Sequence, residues 1–412
     1  MSDQTQKKPG PLSGLKVIEL AHVMAGPACG RLLSDLGADV IKLERPGGED
    51  SRHMAPPYLG SDSAAYVMMN RGKRDICVDL KTETGKRILL DLVKDADILI
   101  ENFRKGTMDR LGLGYERLST LNPRLIYCEI SGYGRSGPMA DEGGFDLMAQ
   151  AMAGLMSFTG ESPERPPVKV GAPVGDIGAG MLATIGVLAA LQERQISGQG
   201  QRVDTSLFEA ALFQTLWQSA IYLASGDVPQ AMGSAHPLDG PYQAFETGDD
   251  WIVIGAANQA NWMRLIKVME VETLGTDQRF IDNPARMTNL AALIDELTPV
   301  FKTDTAESWL KRLADGGVPA APILSMDKVL SHPQTLARNM IVDVQHFELG
   351  HTKTLGLPIK FSRTPGQVRD VQTPRLGEHA REVLREAGWS DADIDRAFME
   401  NAISSTGDLI SS

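Results

Sequence analysis

Cysteine is scarce in this chain: Cys29, Cys77 and Cys128 are the only three among 412 residues. An odd number, widely separated and without CxxC spacing, argues against a disulfide framework and a zinc site, and makes a reducing cytoplasm the default setting. Basic charge is in deficit, with 41 Lys and Arg against 53 Asp and Glu and a net charge of −12, so the footprint of a nucleic-acid binder is missing. The longest uncharged apolar run, Ile177 to Leu191, is interrupted by Gly178, Gly180, Thr184 and Gly186. It is shorter than the roughly 18 residues of a spanning helix, and no integral membrane segment is expected. The lead-in after Met1, SDQTQKKPGP, has lysines but no apolar region behind them, so it reads as a frayed terminus and not a secretory signal. The seven histidines show no HExxH or other metal spacing, so no metal is expected, and no G-x-S-x-G elbow occurs.

What is present is glycine, 41 residues or about a tenth of the chain, against a usual share of roughly 7%. The length allows about 2.7 domains at roughly 150 residues each. From Leu15 to Ser131, apolar runs of strand length alternate with helical stretches: Leu15–Leu20, Ala38–Glu44, Asp75–Leu80, Ala96–Asn102 and Leu125–Ile130. That alternation predicts an α/β fold with a mainly parallel sheet covered on both faces. Phe145–Ser157, Ile177–Gln195 and Thr205–Ala224 read as helices. A turn-rich stretch from Ser225 to Pro241 marks an interdomain crossing. A hairpin around Gly248-Asp-Asp250 and helices near 262–271, 290–301 and 305–313 then make a smaller α+β unit. Two closing helices are expected at 378–386 and 391–399, the second capped by Ser390.

Three constellations carry the chemistry. The first βα turn reads Ala25-Gly-Pro-Ala-Cys-Gly30, which lacks the G-x-G-x-x-G that closes on a pyrophosphate, so an NAD-dependent enzyme is a weak reading. Asp176 stands among Gly175, Gly178 and Gly180 just before the long apolar helix. Its plain reading is an N-cap contributing about 1 kcal/mol, and its functional reading is a reactive carboxylate in space kept open by glycine. The two are compatible, because a helix N-terminus favours the ionised form that a nucleophile needs. Ser131-Gly-Tyr-Gly-Arg-Ser-Gly-Pro138 and Glu101-Asn-Phe-Arg-Lys-Gly106 follow strand ends, where such sheets bind ligands. Asn102, Phe103 and Arg110 offer an amide, an aromatic face and a charge, though either segment also reads as an ordinary loop.

The ordered set of Leu15-Lys-Val-Ile-Glu-Leu20, Ala25-Gly-Pro27, Leu36-Gly-Ala-Asp-Val-Ile-Lys-Leu-Glu-Arg-Pro46, Asn70-Arg-Gly-Lys-Arg74, Glu101-Asn-Phe103, Ser131-Gly-Tyr-Gly134, Gly175-Asp-Ile-Gly-Ala-Gly180 and Gly317-Val-Pro319 resembles the class III CoA-transferases over nearly the whole chain. This family includes formyl-CoA transferase and carnitine CoA-transferase. The resemblance implies a large Rossmann-like domain over residues 1–225, a small α+β domain over 226–325, and a segment, 326–412, returning to the large domain. It also implies an interlocked homodimer. Asp176 aligns with the family's catalytic aspartate, which forms aspartyl anhydride and aspartyl-CoA thioester intermediates. Arg45, Asn102, Phe103 and Arg110 match CoA-binding positions, with Arg45 on the adenine side and Arg110 near a phosphate. His22, Met24, Tyr66 and Tyr133 match the acyl pocket, and Gly233 lies in the loop that matches the family's flexible glycine lid. CoA and acyl-CoA are substrates, and no permanently bound cofactor is implied.

Departures select a branch. Met24 replaces the glutamine of the formyl-CoA branch, Ser131 stands in place of its lysine, and Gly233-Ser-Ala-His-Pro237 lacks its glycine run. Racemases of the family use a G-H-D histidine as a base, and here Phe145 takes that place. The expectation is therefore a cytoplasmic transferase moving CoA from a short donor, succinyl-CoA, to a carboxylic acid such as a dicarboxylate. A racemase or isomerase, or a non-catalytic CoA-binding protein, is the alternative. Arg52, Arg71 and His53 are candidate cations for a distal carboxylate, but each is also a credible surface residue, and surface placement is the commoner outcome for Arg.

Overall fold

The computed structural model describes residues 10–366 and 372–406. Two compact units result. One takes the chain up to Leu155, Lys169–Ser219 and the chain from Pro333 onward, and the other takes Met156–Val168 and Ala220–His332.

The first unit is built on a seven-stranded sheet. Its strands are β1 (Lys16–Glu19), β2 (Asp39–Glu44), β3 (Arg74–Val78), β4 (Ile98–Glu101), β5 (Ile126–Ser131), β6 (Arg202–Ser206) and β7 (Ile403–Ser404). They lie in the order β7-β3-β2-β1-β4-β5-β6, all parallel except β7, which pairs antiparallel with β3. Order 3-2-1-4-5-6 is that of a doubly wound dinucleotide-type sheet, with its reversal between β1 and β4. Val17, Ile18, Ile98, Leu99 and Ile100 are sealed from water on both faces, which is why these runs read as continuously apolar. Strand β6 overlaps the stretch expected to be helical from Thr205 only at Thr205 and Ser206. Its Arg-Val-Asp-Thr-Ser sequence is too polar to announce an edge strand, and pairing of Ser131 with Ser206 decides it.

Four helices matter to the site: α1 (Ala25–Asp35), α2 (Asp146–Met152), α3 (Val174–Ser197) and α4 (Leu207–Phe213). Helix α3 has 24 residues, and an 18-residue window of it reaches a mean hydropathy of 1.8, long and apolar enough by length and composition to cross a bilayer, a test that a core helix also passes. In this unit it packs against α1, α4, β5 and β6. The glycines expected to keep space open around Asp176 serve that packing instead. A Cβ on Gly180 would meet Ala25 O at 2.7 Å and Ala28 Cβ at 2.8 Å, and one on Gly178 would meet Gln214 Nε2 at 2.9 Å and Ala210 Cβ at 3.4 Å.

In the second unit, strands Tyr242–Glu246, Trp251–Gly255 and Ala320–Pro322 form an antiparallel sheet, and the expected hairpin is present with Trp251 opposite Glu246. Phe245, Ile252, Trp262, Leu297, Phe301 and Trp309 make its core. Ser390 caps the helix Asp391–Met399 by accepting the Asp393 N–H, as its position in the sequence suggests.

Candidate active site

The turn leaving β1, the loop leaving β4 and the loop leaving β5 meet at the carboxyl ends of the strands, where the strand order reverses. His22 and Asn102 are joined there. Asn102 Oδ1 accepts the His22 N–H at 3.0 Å, and its amide donates to the His22 carbonyl at 2.8 Å. The Phe103 ring lies 5.6 Å from the His22 ring, and burial lowers the His22 pKa and favours the neutral ring. Phe103 is held by its backbone: its N–H donates to Glu101 at 2.6 Å, and its carbonyl accepts from Arg135 at 2.9 Å. Glu101 and Arg135 pair at 2.7 Å, and Arg135 reaches Glu129 at 3.2 Å.

Asp176 sits in the first turn of α3 and is not its cap. That role falls to Asp146, whose Oδ1 accepts the Gly175 N–H at 2.8 Å and the Asp176 N–H at 3.4 Å. The expected lowering of the Asp176 pKa by the helix start is also reversed. Burial, and then the charge of Asp146, push Asp176 up to about 6. Such a carboxylate is ionised at neutral pH yet more basic than a solvated aspartate. Replacing Asp146 with Asn keeps an oxygen for the cap and removes the charge, so the Asp176 pKa is expected to fall by roughly one unit. A carboxyl-carbon NMR titration reads this directly, and an unmoved pKa would leave burial as the sole cause.

Contacts tie these pieces into one region. Cβ atoms built on Gly132 and Gly144 would each fall within 3 Å of the other's backbone, so the Tyr133 loop rests on the segment leading to Asp146. Gly180, one turn beyond Asp176, abuts Ala25 beside Met24, and a Cβ on Gly26 would lie 3.8 Å from Asn102 Cγ. His22, Met24, Asn102, Phe103, Tyr133 and Asp176 therefore belong to neighbouring elements. Arg45 and Arg110 are more peripheral. Arg45 is exposed and paired with Asp50, and Arg110 donates to Thr107 at 3.0 Å.

Other candidates lie elsewhere. Tyr66 is fully buried, its hydroxyl donating to Glu44 at 2.8 Å, so its surroundings do not support a place on a substrate pocket wall. Arg52 is engaged by Glu44 with two hydrogen bonds of 2.8 Å, and Arg71 by Asp35 at 2.6 and 2.9 Å. Both are buried or nearly so, neither at the surface nor free for a substrate carboxylate, while His53 is exposed. Gly233 belongs to the second unit. It has φ of 61°, donates to Gly160 O at 2.9 Å, and lines a cavity of about 530 Å³ with Phe245, Trp251 and Ile294. Sequence reading passed over Asp146, Glu49 and the Glu101–Arg135 pair. Glu101 and Arg135 stand inside the quoted motifs, but only folding makes them partners. No group of His, Cys, Asp and Glu suited to a metal occurs among the described residues.

Residues 12–380 match the profile of CoA-transferase family III. The chain is 39% identical over 398 residues to a succinate–glutarate CoA-transferase of Agrobacterium fabrum, covering 94% of this chain and 98% of that one. It is 38% identical over 395 residues to a succinyl-CoA–D-citramalate CoA-transferase of Chloroflexus aurantiacus, covering 95% and 97%. The crystal structure of a CAIB/BAIF family protein from Brucella suis superposes with a TM-score of 0.83 at 41% identity, covering 92% of this chain and all of that one. With matches spanning nearly the whole sequence and its parallel sheet, this chain belongs to CoA-transferase family III and is a transferase enzyme of that family.

Proposed function

We infer that this enzyme moves CoA from succinyl-CoA to a dicarboxylic acid, with Asp176 as the covalent carrier. The observation that carries this reading is Asp176 itself, a half-buried carboxylate in a helix's first turn, with the adjoining N–H groups taken by Asp146 and a pKa of about 6. Both relatives described above have names that pair succinate or succinyl-CoA with a second dicarboxylate, glutarate or citramalate.

The ionised Asp176 attacks the donor thioester carbonyl, the C–S bond breaks, and CoA leaves as thiolate, giving an aspartyl acyl anhydride. The thiolate attacks the aspartyl carbonyl of the anhydride and expels the donor acid, leaving an aspartyl-CoA thioester. The acceptor carboxylate displaces the thiolate to form a second anhydride. Attack of the thiolate on the acceptor's acyl carbon then yields the new acyl-CoA and restores Asp176. Each intermediate keeps the activation of the first thioester, so the site must exclude water. Arg45 and Arg110, exposed and planar, suit adenine stacking and a phosphate, and Phe103 and Asn102 line the crevice beside them. His22, Met24 and Tyr133 face the acyl group.

Phe145, 72% exposed, directly precedes the Asp146 that touches the Asp176 backbone. A hydrocarbon therefore stands where a racemase carries its base, which favours transfer. Phe145, Met181, Ile185 and Phe213 are each at least half exposed, an apolar surface suited to burial in an interlocked homodimer. Light scattering after gel filtration tests that assembly. A cytoplasmic setting is supported by three buried cysteines in thiol form.

Incubation with succinyl-CoA followed by hydroxylamine, with peptide mass spectrometry, is expected to place a hydroxamate on Asp176 and none in Asp176→Ala. Ping-pong kinetics with glutarate should accompany it. Deuterium entering Cα without any acceptor acid would support the racemase instead. CoA binding without exchange, from succinyl-CoA or acetyl-CoA, would leave a non-catalytic binder.

A further inference from the structure

The turn between β1 and α1 holds the one β-branched residue with positive φ among the described residues: Val23, at 65°. A branched side chain resists this conformation, which persists only where the surroundings impose it. Here the surroundings are long-range side chains. Glu49 Oε2 accepts the Val23 N–H at 2.9 Å, while Asn102 holds both backbone groups of the preceding His22. Glu49 is itself fixed. Its carboxylate accepts the Ser51 N–H at 2.9 Å and the Ser51 hydroxyl at 2.7 Å, and Lys42 Nζ lies 3.4 Å away. Lys42, fully buried, also donates to the Ala21 carbonyl at 2.8 Å and to Glu19 at 3.1 Å. Glu19 in turn meets Lys73, also fully buried, at 2.8 Å. Two carboxylates and two ammonium groups are thus sealed beneath one turn. Buried ion pairs are poor sources of stability compared with apolar packing, and their better-attested use is to select one conformation.

We propose that Glu49 is a positioning residue: through the Val23 N–H it holds the left-handed turn that presents His22 and Met24 to the acyl-CoA. This rests on the reading of the crevice as the acyl-CoA site. Glu49 touches no reacting atom in that reading. Its loss lets Val23 relax toward φ below zero, turning the two flanking side chains away from the crevice.

Glu49→Ala is expected to raise KM for succinyl-CoA about tenfold, with a smaller change in kcat. It should also accelerate exchange of the Val23 amide hydrogen. Adding Val23→Gly to that variant should recover most of the KM, because glycine takes this φ without a clamp. Glu49→Gln, which keeps an acceptor oxygen, should fall between wild type and Glu49→Ala. A folded Glu49→Ala enzyme with the wild-type KM overturns the proposal, as does a double variant no better than Glu49→Ala. A wild-type enzyme that moves CoA from no short acyl donor overturns the functional reading instead. In that event the Val23 amide still decides the clamp, and rapid exchange in the wild type overturns it.

Discussion

Asp176→Asn should lower the rate of CoA transfer by roughly four orders of magnitude, the usual cost of losing a covalent carrier, and at pH 8 it should also make the protein harder to unfold. Both effects come from one carboxylate. Its pKa is about 6 in the folded chain against an ordinary 3.8, because burial and Asp146 disfavour the charge. The folded state therefore binds this proton more tightly than the unfolded state does. Stability is full below pH 3.8, is lost as pH rises towards 6, and stays lost above it. The difference of about two units corresponds to at most about 3 kcal/mol, less for a group partly open to water. The Asn variant removes that penalty, so its gain in melting temperature should be largest at pH 8 and vanish near pH 3. In the wild type, kcat/KM should fall below about pH 6 as Asp176 is protonated. Undiminished transfer by the Asn variant would remove Asp176 from the chemistry. Equal melting of the two proteins at pH 8 would show that its charge is not held at a cost.

A comparable loss, this time of stability, is expected from Arg135→Ala. Arg135 joins Glu101, the Phe103 carbonyl and Glu129 at 2.7, 2.9 and 3.2 Å, and all three charged residues are at least nine-tenths buried. Burial and the neighbouring Glu129 already push the Glu101 pKa up, and Arg135, with the Phe103 N–H, opposes them. Without Arg135, Glu101 is left buried beside Glu129, which keeps Arg202 as its own partner, and the loss should be about 3–5 kcal/mol at pH 7.5. Because Glu101, left without its cation, can be protonated, part of that loss should return at pH 5. Lysine should rescue poorly, since one ammonium cannot span three acceptors with the guanidinium's planar geometry. Urea unfolding at the two pH values measures both effects. A loss under about 1 kcal/mol would mean that water reaches the cluster.

The Glu101–Arg135 pair also illustrates what was legible. The apolar runs of β1 to β5 were readable because strands buried on both faces admit little else, and the order of motifs placed the chain in its family. Strand β6 and the two-residue β7 were not readable, since edge strands take their identity from a neighbour's hydrogen bonds more than from their own side chains. Asp176 stood out as a carboxylate amid glycines, but the capping role assigned to it belongs to Asp146, 30 positions away. Tyr66, Arg52 and Arg71 matched a pocket or a free cation by type, yet the fold gives each a buried partner.

By itself, then, the sequence determined the alternation of strands and helices, the family, and the carboxylate on which the chemistry is expected to turn. These depend on residue type and local periodicity, which the chain carries wherever it is. Tertiary structure alone decided which charges are spent on one another, what caps α3, which way the Asp176 pKa moves and how Val23 is held in its strained turn. Those outcomes depend on distances of 3 Å between residues 26 to 80 positions apart, and on the loss of water around them.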